Sequence, residues 1–552
     1  MTPGKGEGTD GLAAKAVGLL LFLGVGIYAV GVLGSHPSIE TLGLVGGLHP
    51  FVWLGYLLMG GAVILAVVRL RTKPAYPILA SLAILTALHG LPLLIEGTAR
   101  FPFSYSVSGH VIYILQNGFL NPGLLPYQNW PGMMFLGSAL LLVPGLEPDH
   151  VLALFYILVP WMLFFLSYGI AGALFHSAAK RWLAVWLFLL LNWVGQGYFI
   201  PSSVGLVLVA SSLFVLIRLS QGASLPARPR QTAWVMANIV ILAALVTTHF
   251  LTSLLMILTF LSIVAMRLLA RNRASLPHAG TVLFGSMVLA WLMYFAGDFV
   301  LINLPKWVDQ ALTIGFITET SVGFAFSGSP DRLLLSGIKT FTLLLISVLA
   351  LLGMLRFLRQ GARMSGPAYL LLALVVGSFA LVLLTPYGGE IVSRAYSYAL
   401  LPLAMLACLG TLTRRQKTLL ASVIIASFPL YVISAYGNEA FDYVAPSELP
   451  VAIFAVDRLD PDGPILISTP RTERLWNTYG IGVLRWFGDW ETTCDALSAT
   501  WSGTLFFAVF SQRDIVAFDY LTGGAIGMDL SLRSCTSQVY SNGIVDIGMR
   551  AA

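Results

Sequence analysis

The residue whose chemistry is easiest to name is Glu96, a carboxylate that follows a long apolar run directly. An ionisable group at the edge of a membrane helix is a functional candidate by default. As a carboxylate, Glu96 can act as a general base or bind a divalent cation such as Mg²⁺ or Mn²⁺. The alternative is a helix-end residue that faces water. Asp309 and Glu390, from two other polar intervals, are the next candidates for the base.

Arg394 is the most informative basic residue because it lies at the predicted outer end of a helix, where membrane proteins disfavour cations. Its guanidinium can bind an anion, such as a lipid phosphate, by paired hydrogen bonds. Alternatively it forms an exposed ion pair with Glu390, which stabilises little. Lys306 has the same two interpretations. His110 and His249 can each donate to a phosphate or bind a metal, or they are simply hydrogen-bonded within the fold.

These side chains need an element that holds them together, and residues 96–131 are the best candidate. The interval contains too many Gly, Pro, Asn and Ser residues to span a bilayer and is too aromatic for a plain linker. Long ordered connections are usually functional, since most connections are short. We therefore predict a long external loop over a cavity at one membrane face. The external polar residues expected to converge there are Glu96, Arg100, Tyr105, His110, Tyr113, Gln128, Asn129, Asn192, Gln196, Tyr198, Ser202, His249, Lys306, Asp309, Glu319, Asp331, Arg332, Glu390 and Arg394.

Composition places the chain in the membrane class. It has 552 residues, of which 57% are hydrophobic and 10% charged, with a mean hydropathy of +0.84. Apolar runs of about 17–25 residues recur, each long enough to cross the hydrocarbon core. The pattern predicts a polytopic α-helical membrane protein. The net charge of +6 follows from basic residues in short loops, so it is not a sign of nucleic-acid binding.

The distribution of Lys and Arg predicts about thirteen spans, with the N-terminus cytoplasmic and residues 96–131 outside. Residues 131–144 are apolar but short and lie between prolines, so they are assigned as a re-entrant or half-buried helix. Counting them as a full span would reverse the side of five basic residues. The predicted spans are 12–33, 50–70, 76–95, 151–174, 182–194, 204–217, 234–248, 251–269, 281–302, 341–355, 369–384, 398–412 and 419–436.

Charged and polar residues return from about residue 438. Runs at 464–468, 504–510 and 538–547 read as strands, and Ser541-Asn542-Gly543 is a hairpin-turn signal. We therefore expect three parts: an N-terminal helical pair (1–75), a main transmembrane domain (76–437) and a small extracytoplasmic α/β domain (438–552). Cys494 and Cys535 could form one disulfide in that last domain.

Several pieces of the sequence together resemble the GT-C superfamily of polytopic membrane glycosyltransferases, and within it a poorly characterised prokaryotic, often archaeal, group. The pieces read RFPFSYS…GH…YILQNG…NP…YQNWPG, NWVGQGYFIPSSVGLVL, THFLTSLLMIL, GGEIVSRAYSYALLPLA and VYSNGIVDIG. The resemblance covers most of the chain from about Tyr76 onward. It implies a plasma-membrane enzyme of the cell envelope (EC 2.4) that moves a sugar from a polyprenyl-phosphate-linked donor to a glycan, lipid or protein acceptor.

The same resemblance assigns roles to particular residues. Arg394 would lie near the donor phosphate, while Gln196 and Tyr198 would line the substrate cavity. Arg100 is a further predicted substrate-binding residue. The family uses an acidic residue in the first external loop as base or metal ligand. This chain departs from that pattern, because no Asp or Glu occurs between Glu96 and Glu147. Glu96 is therefore the expected base and the expected ligand of any cation.

Two other functions fit the sequence. One is a transporter or flippase of lipid-linked or small solutes. Transporters tend to show paired broken helices and internal repeats. In this sequence the polar residues are instead expected at one membrane face, which favours surface chemistry over transport. The other is a catalytically silent relative that binds a glycolipid, which the missing loop acid favours.

Overall fold

The computed structural model describes residues 7–39, 42–70, 73–121, 126–194, 197–221, 228–270, 278–312, 328–360, 366–383, 391–438 and 442–449, and five strands beyond them. In this part of the chain the α-helices are α1 Glu7–Leu33, α2 Pro50–Arg69, α3 Ala75–Glu96, α4 Pro102–Asn117, α5 Gly132–Leu142, α6 Pro148–Leu174, α7 Ala178–Leu191, α8 Pro201–Ser220, α9 Arg228–Thr248, α10 Phe250–Ala270, α11 His278–Tyr294, α12 Gly297–Leu312, α13 Pro330–Arg359, α14 Gly366–Ala380, α15 Ile391–Ala407 and α16 Arg414–Tyr436.

The chain is a multi-pass helical membrane protein, as its composition predicts. Nine of the described helices are long and apolar enough to cross a bilayer, or ten if the α11–α12 pair is one broken span. The count of thirteen stays a prediction, as does the sidedness of the termini. Helix α5 has 11 residues, which rise only about 16 Å, half of a hydrocarbon core. That length agrees with its assignment as a segment that does not cross.

Two predicted elements differ from the structure. Residues 96–131 are not a continuous loop, because α4 occupies Pro102–Asn117 and a 3₁₀ turn occupies Pro126–Asn129. The Ser and Gly residues that suggested a loop are the small buried residues by which α4 packs into the bundle. The predicted span 281–302 is also not one straight helix, since its two halves meet at a 92° bend after Tyr294.

Close helix packing surrounds α15, whose residues Ala395–Ala407 are all buried. Helix α13 approaches it through Gly353, where an added Cβ would lie 2.9 Å from the Cα of Ala407. Helices α1 and α2 meet in the same way, because a Cβ at Gly55 would lie 2.6 Å from the Cβ of Tyr28. Small residues at such contacts let helix backbones approach in a membrane. The buried α15 carries Arg394 at its beginning, so its packing fixes that side chain in place.

The five strands form one sheet in the order β2-β1-β3-β5-β4. Strands β1 (Ile465–Ile467), β2 (Leu484–Trp486) and β3 (Leu505–Ser511) are parallel. Strands β4 (Ser537–Ser541) and β5 (Val545–Ala551) form an antiparallel pair that joins β3 through β5. The predicted strand runs coincide with β1, β3 and the β4–β5 pair, whereas the three-residue β2 was not predicted. Cys494 and Cys535 lie outside the described residues, and the extracytoplasmic domain stays a prediction.

Arg100 joins four distant segments at the end of α3. Its side chain is fully buried, and Nη1 donates to the hydroxyl of Tyr198 at 2.9 Å and to the carbonyl of Ala435 at 2.7 Å. Nη2 forms a salt bridge with Asp442 Oδ2 at 3.1 Å. The Arg100 carbonyl in turn accepts from the hydroxyl of Tyr156 at 2.6 Å. A buried charge is tolerated only when paired and hydrogen-bonded, and Arg100 meets that condition.

Main-chain hydrogen bonds strengthen the same junction. The amide of Phe101 donates to the carbonyl of Asp442 at 2.7 Å, and the hydroxyl of Thr98 donates to the carbonyl of Val444 at 2.5 Å. Phe101 adopts φ +79°, a conformation that side chains other than Gly rarely take, and its ring stacks on Tyr198 at 4.9 Å. A strained residue persists only where its surroundings fix it. The segment after α16 therefore holds the beginning of α4 against the described residues of the α7–α8 turn, 192–194 and 197–200.

We predict that Asp442→Leu lowers the free energy of unfolding by about 3–5 kcal/mol, since it leaves Arg100 buried without its carboxylate. Asp442→Asn should lose less, because the amide oxygen still accepts from Arg100. The measurement is thermal unfolding of detergent-solubilised protein. Equal losses for the two variants would show that the charge of Asp442 contributes nothing beyond its hydrogen bond.

Candidate functional site

The beginning of α8 and the beginning of α15 meet at Arg394. Helix α8 begins at Pro201, and Ser202 lies in its first turn. Arg394, in the first turn of α15, donates from Nη1 to the Ser202 hydroxyl at 3.0 Å. The Arg394 side chain is half-buried, and the two residues are 192 positions apart. Its predicted partner Glu390 lies outside the described residues, so the alternative of an ion pair is not tested.

His249 lies beside Arg394, at the junction of α9 and α10. Its side chain is 7% exposed, and burial, together with the positive charge of Arg394, lowers the pKa of His249 to about 3. The ring is therefore neutral at physiological pH. The Thr252 amide donates to Nδ1 at 3.4 Å, which assigns the proton of the neutral ring to Nε2. His249 thus presents an N–H donor beside a guanidinium.

His110 is held in a second polar pair. It lies in α4, is 1% exposed, and its Nδ1 is 3.0 Å from Nε2 of Gln128. The Oε1 of Gln128 accepts from the Asn121 amide at 2.6 Å, so the Gln128 nitrogen is the donor to His110. Burial lowers the pKa of His110 to about 4, which keeps it neutral as well.

The end of the external interval packs against the α9–α10 junction. Trp130 contacts the rings of Phe250 and Phe299 at centroid distances of 5.4 and 5.0 Å. The indole of Trp291 donates to the carbonyl of Asn129 at 3.0 Å. A Cβ at Gly132 would lie 2.6 Å from the hydroxyl oxygen of Thr248, which precedes His249. Residues 129–132 therefore lie against the segment that carries His249.

Glu96 is the last residue of α3 and is 3% exposed. Lys306 and Asp309 lie in α12, but their side chains are outside the described part of the structure. Gln196 and Glu390 are also outside it. The structure thus joins Arg394 to Ser202 and Arg100 to Tyr198 by hydrogen bonds, and it places His249 close enough to Arg394 for that positive charge to lower its pKa.

Tyr198 lines a cavity between α3, α6, α7 and α16. Its predicted place in a substrate cavity stays a prediction. Arg100 does not line it. The Arg100 guanidinium lies behind the Tyr198 hydroxyl, where it is used by internal hydrogen bonds. Arg100 therefore stabilises the position of Tyr198 from behind the cavity wall. Its predicted contact with substrate stays untested.

Sequence reasoning missed two residues at this place, Asp442 and His89. Asp442 is 342 residues from Arg100 and was assigned to the beginning of the C-terminal domain. No local pattern could have paired them. His89 lies inside α3, and the rule that flags ionisable groups within apolar spans would have found it.

No group of three or more His, Cys, Asp or Glu side chains able to hold a metal ion occurs among the described residues. Glu96 by itself does not form such a site, because a divalent cation takes several oxygen ligands. The expected cation therefore stays a prediction, and no chemical step below depends on it.

No protein-family model and no curated protein sequence match this chain. Among solved structures, it is similar to ArnT from Cupriavidus metallidurans bound to undecaprenyl phosphate, with 12% identity, a TM-score of 0.47, and coverage of 86% of this chain and 98% of that one. It is also similar to the Archaeoglobus fulgidus oligosaccharyltransferase tethered with an acceptor peptide containing the NVT sequon. There the identity is 12%, the TM-score 0.49, and the coverage 86% and 74%.

A second structure of the Archaeoglobus protein, in complex with Zn and sulfate, has 11% identity, a TM-score of 0.47 and coverage of 85% and 72%. The resemblance to membrane glycosyltransferases that the sequence pieces carry thus recurs among similar structures. With TM-scores below 0.5, it is a likeness that gives no residue of this chain a role.

Proposed function

We propose that this protein is a membrane glycosyltransferase that uses a polyprenyl-phosphate-linked sugar donor and acts at the extracytoplasmic face. The observation that carries the proposal is the group of hydrogen-bond donors at the beginning of α8: the guanidinium of Arg394, the hydroxyl of Ser202 and the Nε2–H of His249. The resemblance of the sequence pieces to lipid-linked glycosyltransferases agrees with it.

The donor group suits a phosphate for three reasons. A helix N-terminus favours anions through its amide groups and dipole. The Ser202 hydroxyl accepts from Arg394, so its own hydrogen is left to donate to a ligand. His249 donates without adding a charge, because burial keeps it neutral. The site therefore combines one cation, Arg394, with neutral hydrogen-bond donors. This combination suits a lipid phosphate that must bind and then be released.

In the proposed reaction, a hydroxyl or amide of the acceptor attacks the anomeric carbon of the donor sugar. The bond from that carbon to the phosphate oxygen breaks, and its electron pair leaves with the polyprenyl phosphate. Arg394 and His249 stabilise the departing phosphate, since donors aimed at developing charge lower the barrier. Glu96 takes the proton of the acceptor, and Asp309 and Glu390 are the further candidates for this base.

A second candidate is a silent relative that binds the lipid without turnover. Two observations favour it: no Asp or Glu lies between Glu96 and Glu147, and Glu96 itself is 3% exposed. The transport alternative has weaker support, because the described residues contain one bent helix pair, α11–α12, where transporters tend to have two.

We predict that Arg394→Ala weakens binding of undecaprenyl phosphate at least tenfold, because hydrogen bonds to a charged group contribute about 1.5–3 kcal/mol. Native mass spectrometry of nanodisc-embedded protein measures the bound lipid. The matched control is Arg414→Ala, which removes an exposed arginine from the beginning of α16. Undecaprenol, which lacks the phosphate, should bind equally to both variants. Equal loss of both lipids from Arg394→Ala would point to a general packing defect and overturn the anion site.

For Glu96→Gln, the expected result is a fall in sugar transfer of about 10²–10⁴-fold with unchanged binding of undecaprenyl phosphate. The substitution keeps the shape and removes the base. The measurement is release of polyprenyl phosphate from a synthetic polyprenyl-phosphate hexose. Full activity in the variant would exclude Glu96 as the base, although the enzyme class would stand. If the wild type binds the lipid but releases no polyprenyl phosphate from the donor, the result would support the catalytically silent relative.

The two neutral histidines also predict how stability depends on pH. Their folded pKa values, about 3 for His249 and about 4 for His110, lie below the ordinary 6.5. The unfolded chain therefore binds more protons between pH 6.5 and 4, so the free energy of unfolding falls as pH falls through that window. The slope is about 1.4 kcal/mol per pH unit for each histidine. Thermal unfolding at pH 7.5, 6 and 5 should show a shallower loss in His249→Gln and in His110→Gln. An unchanged slope in both would contradict the assignment.

A further inference from the structure

A cluster of positive charges lies around the α15–α16 turn, at the end of the bundle opposite Arg394. Between Arg394 and Ala407, α15 rises about 20 Å, so the two ends are well separated. Three helix ends meet at this turn: the beginning of α7, the end of α13 and the beginning of α16. The cations that they carry are Lys180, Arg181, Arg356, Arg359, Arg414, Arg415 and Lys417.

Two of these cations are used to close the end of α15. Lys180 of α7 donates to the carbonyl of Gly410, and Arg356 of α13 donates from Nη2 to the carbonyl of Ala407 at 3.0 Å. Cations at the carbonyl end of a helix are favourable, because they satisfy its last carbonyls and its dipole. Lys180 and Arg356 therefore have an internal role and fix α7 and α13 against the turn.

A second set of hydrogen bonds joins α13 to the beginning of α16. The Oε1 of Gln360 accepts from the Thr411 amide at 2.9 Å, and its Nε2 donates to the Thr411 hydroxyl at 2.6 Å. Gln360 directly follows Arg359, and Thr411 lies four residues before Arg415. These contacts hold the two exposed arginines near each other on neighbouring helices.

No carboxylate from these helices neutralises the cluster. The sequence has no Asp or Glu in residues 150–297, 332–389 or 391–438, which supply all three helix ends. Among the described residues, none of the seven cations forms a salt bridge. Burial lowers the pKa of Lys180, and the positive charges of Arg356 and Lys417 act in the same direction. Cations this close repel one another, so an anion from outside these helices would stabilise the arrangement.

The two exposed arginines also lie in line with exposed apolar side chains. On α13, Leu355 and Leu352 lie one and two turns before Arg359 on the same face, and they are 40% and 53% exposed. On α16, Leu419 lies one turn after Arg415 and is 58% exposed. Both helices are long and apolar enough to cross a bilayer. Each row therefore leads from the hydrocarbon region to a guanidinium.

This arrangement favours a membrane lipid over a soluble anion. A phospholipid carries a phosphate and acyl chains in the same order as α13 and α16 carry arginine and leucine. Guanidinium groups bind phosphate by paired hydrogen bonds, and basic residues beside membrane helices attract anionic headgroups. A choline headgroup would add a positive charge to the cluster. Arg414 is less suited to the lipid, because the residue one turn further along α16 is Thr418.

We propose that α13 and α16 bind an anionic phospholipid at this end of the bundle, with its phosphate between Arg359 and Arg415 and its acyl chains along the exposed leucines. The other cations supply the positive potential that selects a negative headgroup. The site goes beyond the proposed function, because it lies at the opposite end from Arg394 and takes no part in sugar transfer. Helix α13 also packs on α15 through Gly353, so the bound lipid stabilises the helix that carries Arg394.

The test removes the two exposed arginines together, as Arg359→Ala/Arg415→Ala. The matched control, Arg69→Ala/Lys73→Ala, removes two charges from exposed positions between α2 and α3, where Asp10 lies 3.7 Å from Lys73. Arg359→Lys/Arg415→Lys keeps the charge at the site. The measurement is native mass spectrometry of the full chain, released from detergent and titrated with palmitoyl-oleoyl phosphatidylglycerol or phosphatidylcholine.

The wild type and the control should bind phosphatidylglycerol at least about tenfold more tightly than phosphatidylcholine, and the alanine pair should lose this preference. The lysine pair should keep most of it. Phosphatidylglycerol should raise the Tm of the wild type but not of the alanine pair, since a ligand of the folded state stabilises it. Without lipid, all variants should unfold at the same temperature.

Three results would overturn the proposal. The first is equal affinity of the wild type for the two lipids. The second is an unchanged affinity of the alanine pair for phosphatidylglycerol. The third is displacement of the lipid by glycerol 3-phosphate, which would assign the cluster to a soluble anion.

Discussion

The buried guanidinium of Arg100 is the constraint on which this end of the bundle, where α3, α4, α8 and α16 meet, depends. Removing such a group from water is expensive, so its partners must all be present at once. Those partners come from the α7–α8 turn, the end of α16 and Asp442 beyond it. The chain therefore cannot place any one of these segments independently. The strained conformation of Phe101, next in sequence, is the local cost of bringing them together.

Two different environments lie on either side of the α7–α8 turn, which Arg100 holds in place through Tyr198. Tyr198 faces the uncharged cavity, and four residues later Ser202 binds Arg394 at the beginning of α8. The described residues that line the cavity carry no charged side chain, whereas Arg394 places a charge at the beginning of α8. The short separation in sequence between Tyr198 and Ser202 therefore fixes the distance between the cavity and the Arg394–Ser202 pair.

The sequence predicted what depends on local pattern. The apolar runs predicted the helical membrane class, and the short segment bracketed by prolines predicted α5. The strand-like run 504–510 predicted β3, and the run 538–547 with its hairpin-turn signal predicted the β4–β5 pair. Prediction from the sequence failed for features that depend on how the helices pack against one another. The serines of α4 are typical of a loop, but in the structure they are the small residues that let this helix enter the bundle. The break after Tyr294 lies in a run that is apolar on both sides, and its local signal is Gly297 with Asp298, which begin the next helix. Arg394 was singled out because charge placement is a local signal, and its role stays a prediction. Asp442 was missed because its partner is 342 residues away.

The lack of acids in the external interval has opposite effects on the two halves of the proposed reaction. Carboxylates near a bound phosphate would repel it, so an interval free of Asp and Glu from 97 to 146 favours the binding of an anion. The same feature leaves Glu96, 3% exposed at the end of α3, as the one carboxylate that residues 96–146 supply for the proposed base. The proposed reaction is therefore expected to depend mainly on stabilising the departing phosphate, for which Arg394, Ser202 and His249 supply donors, and less on activating the acceptor.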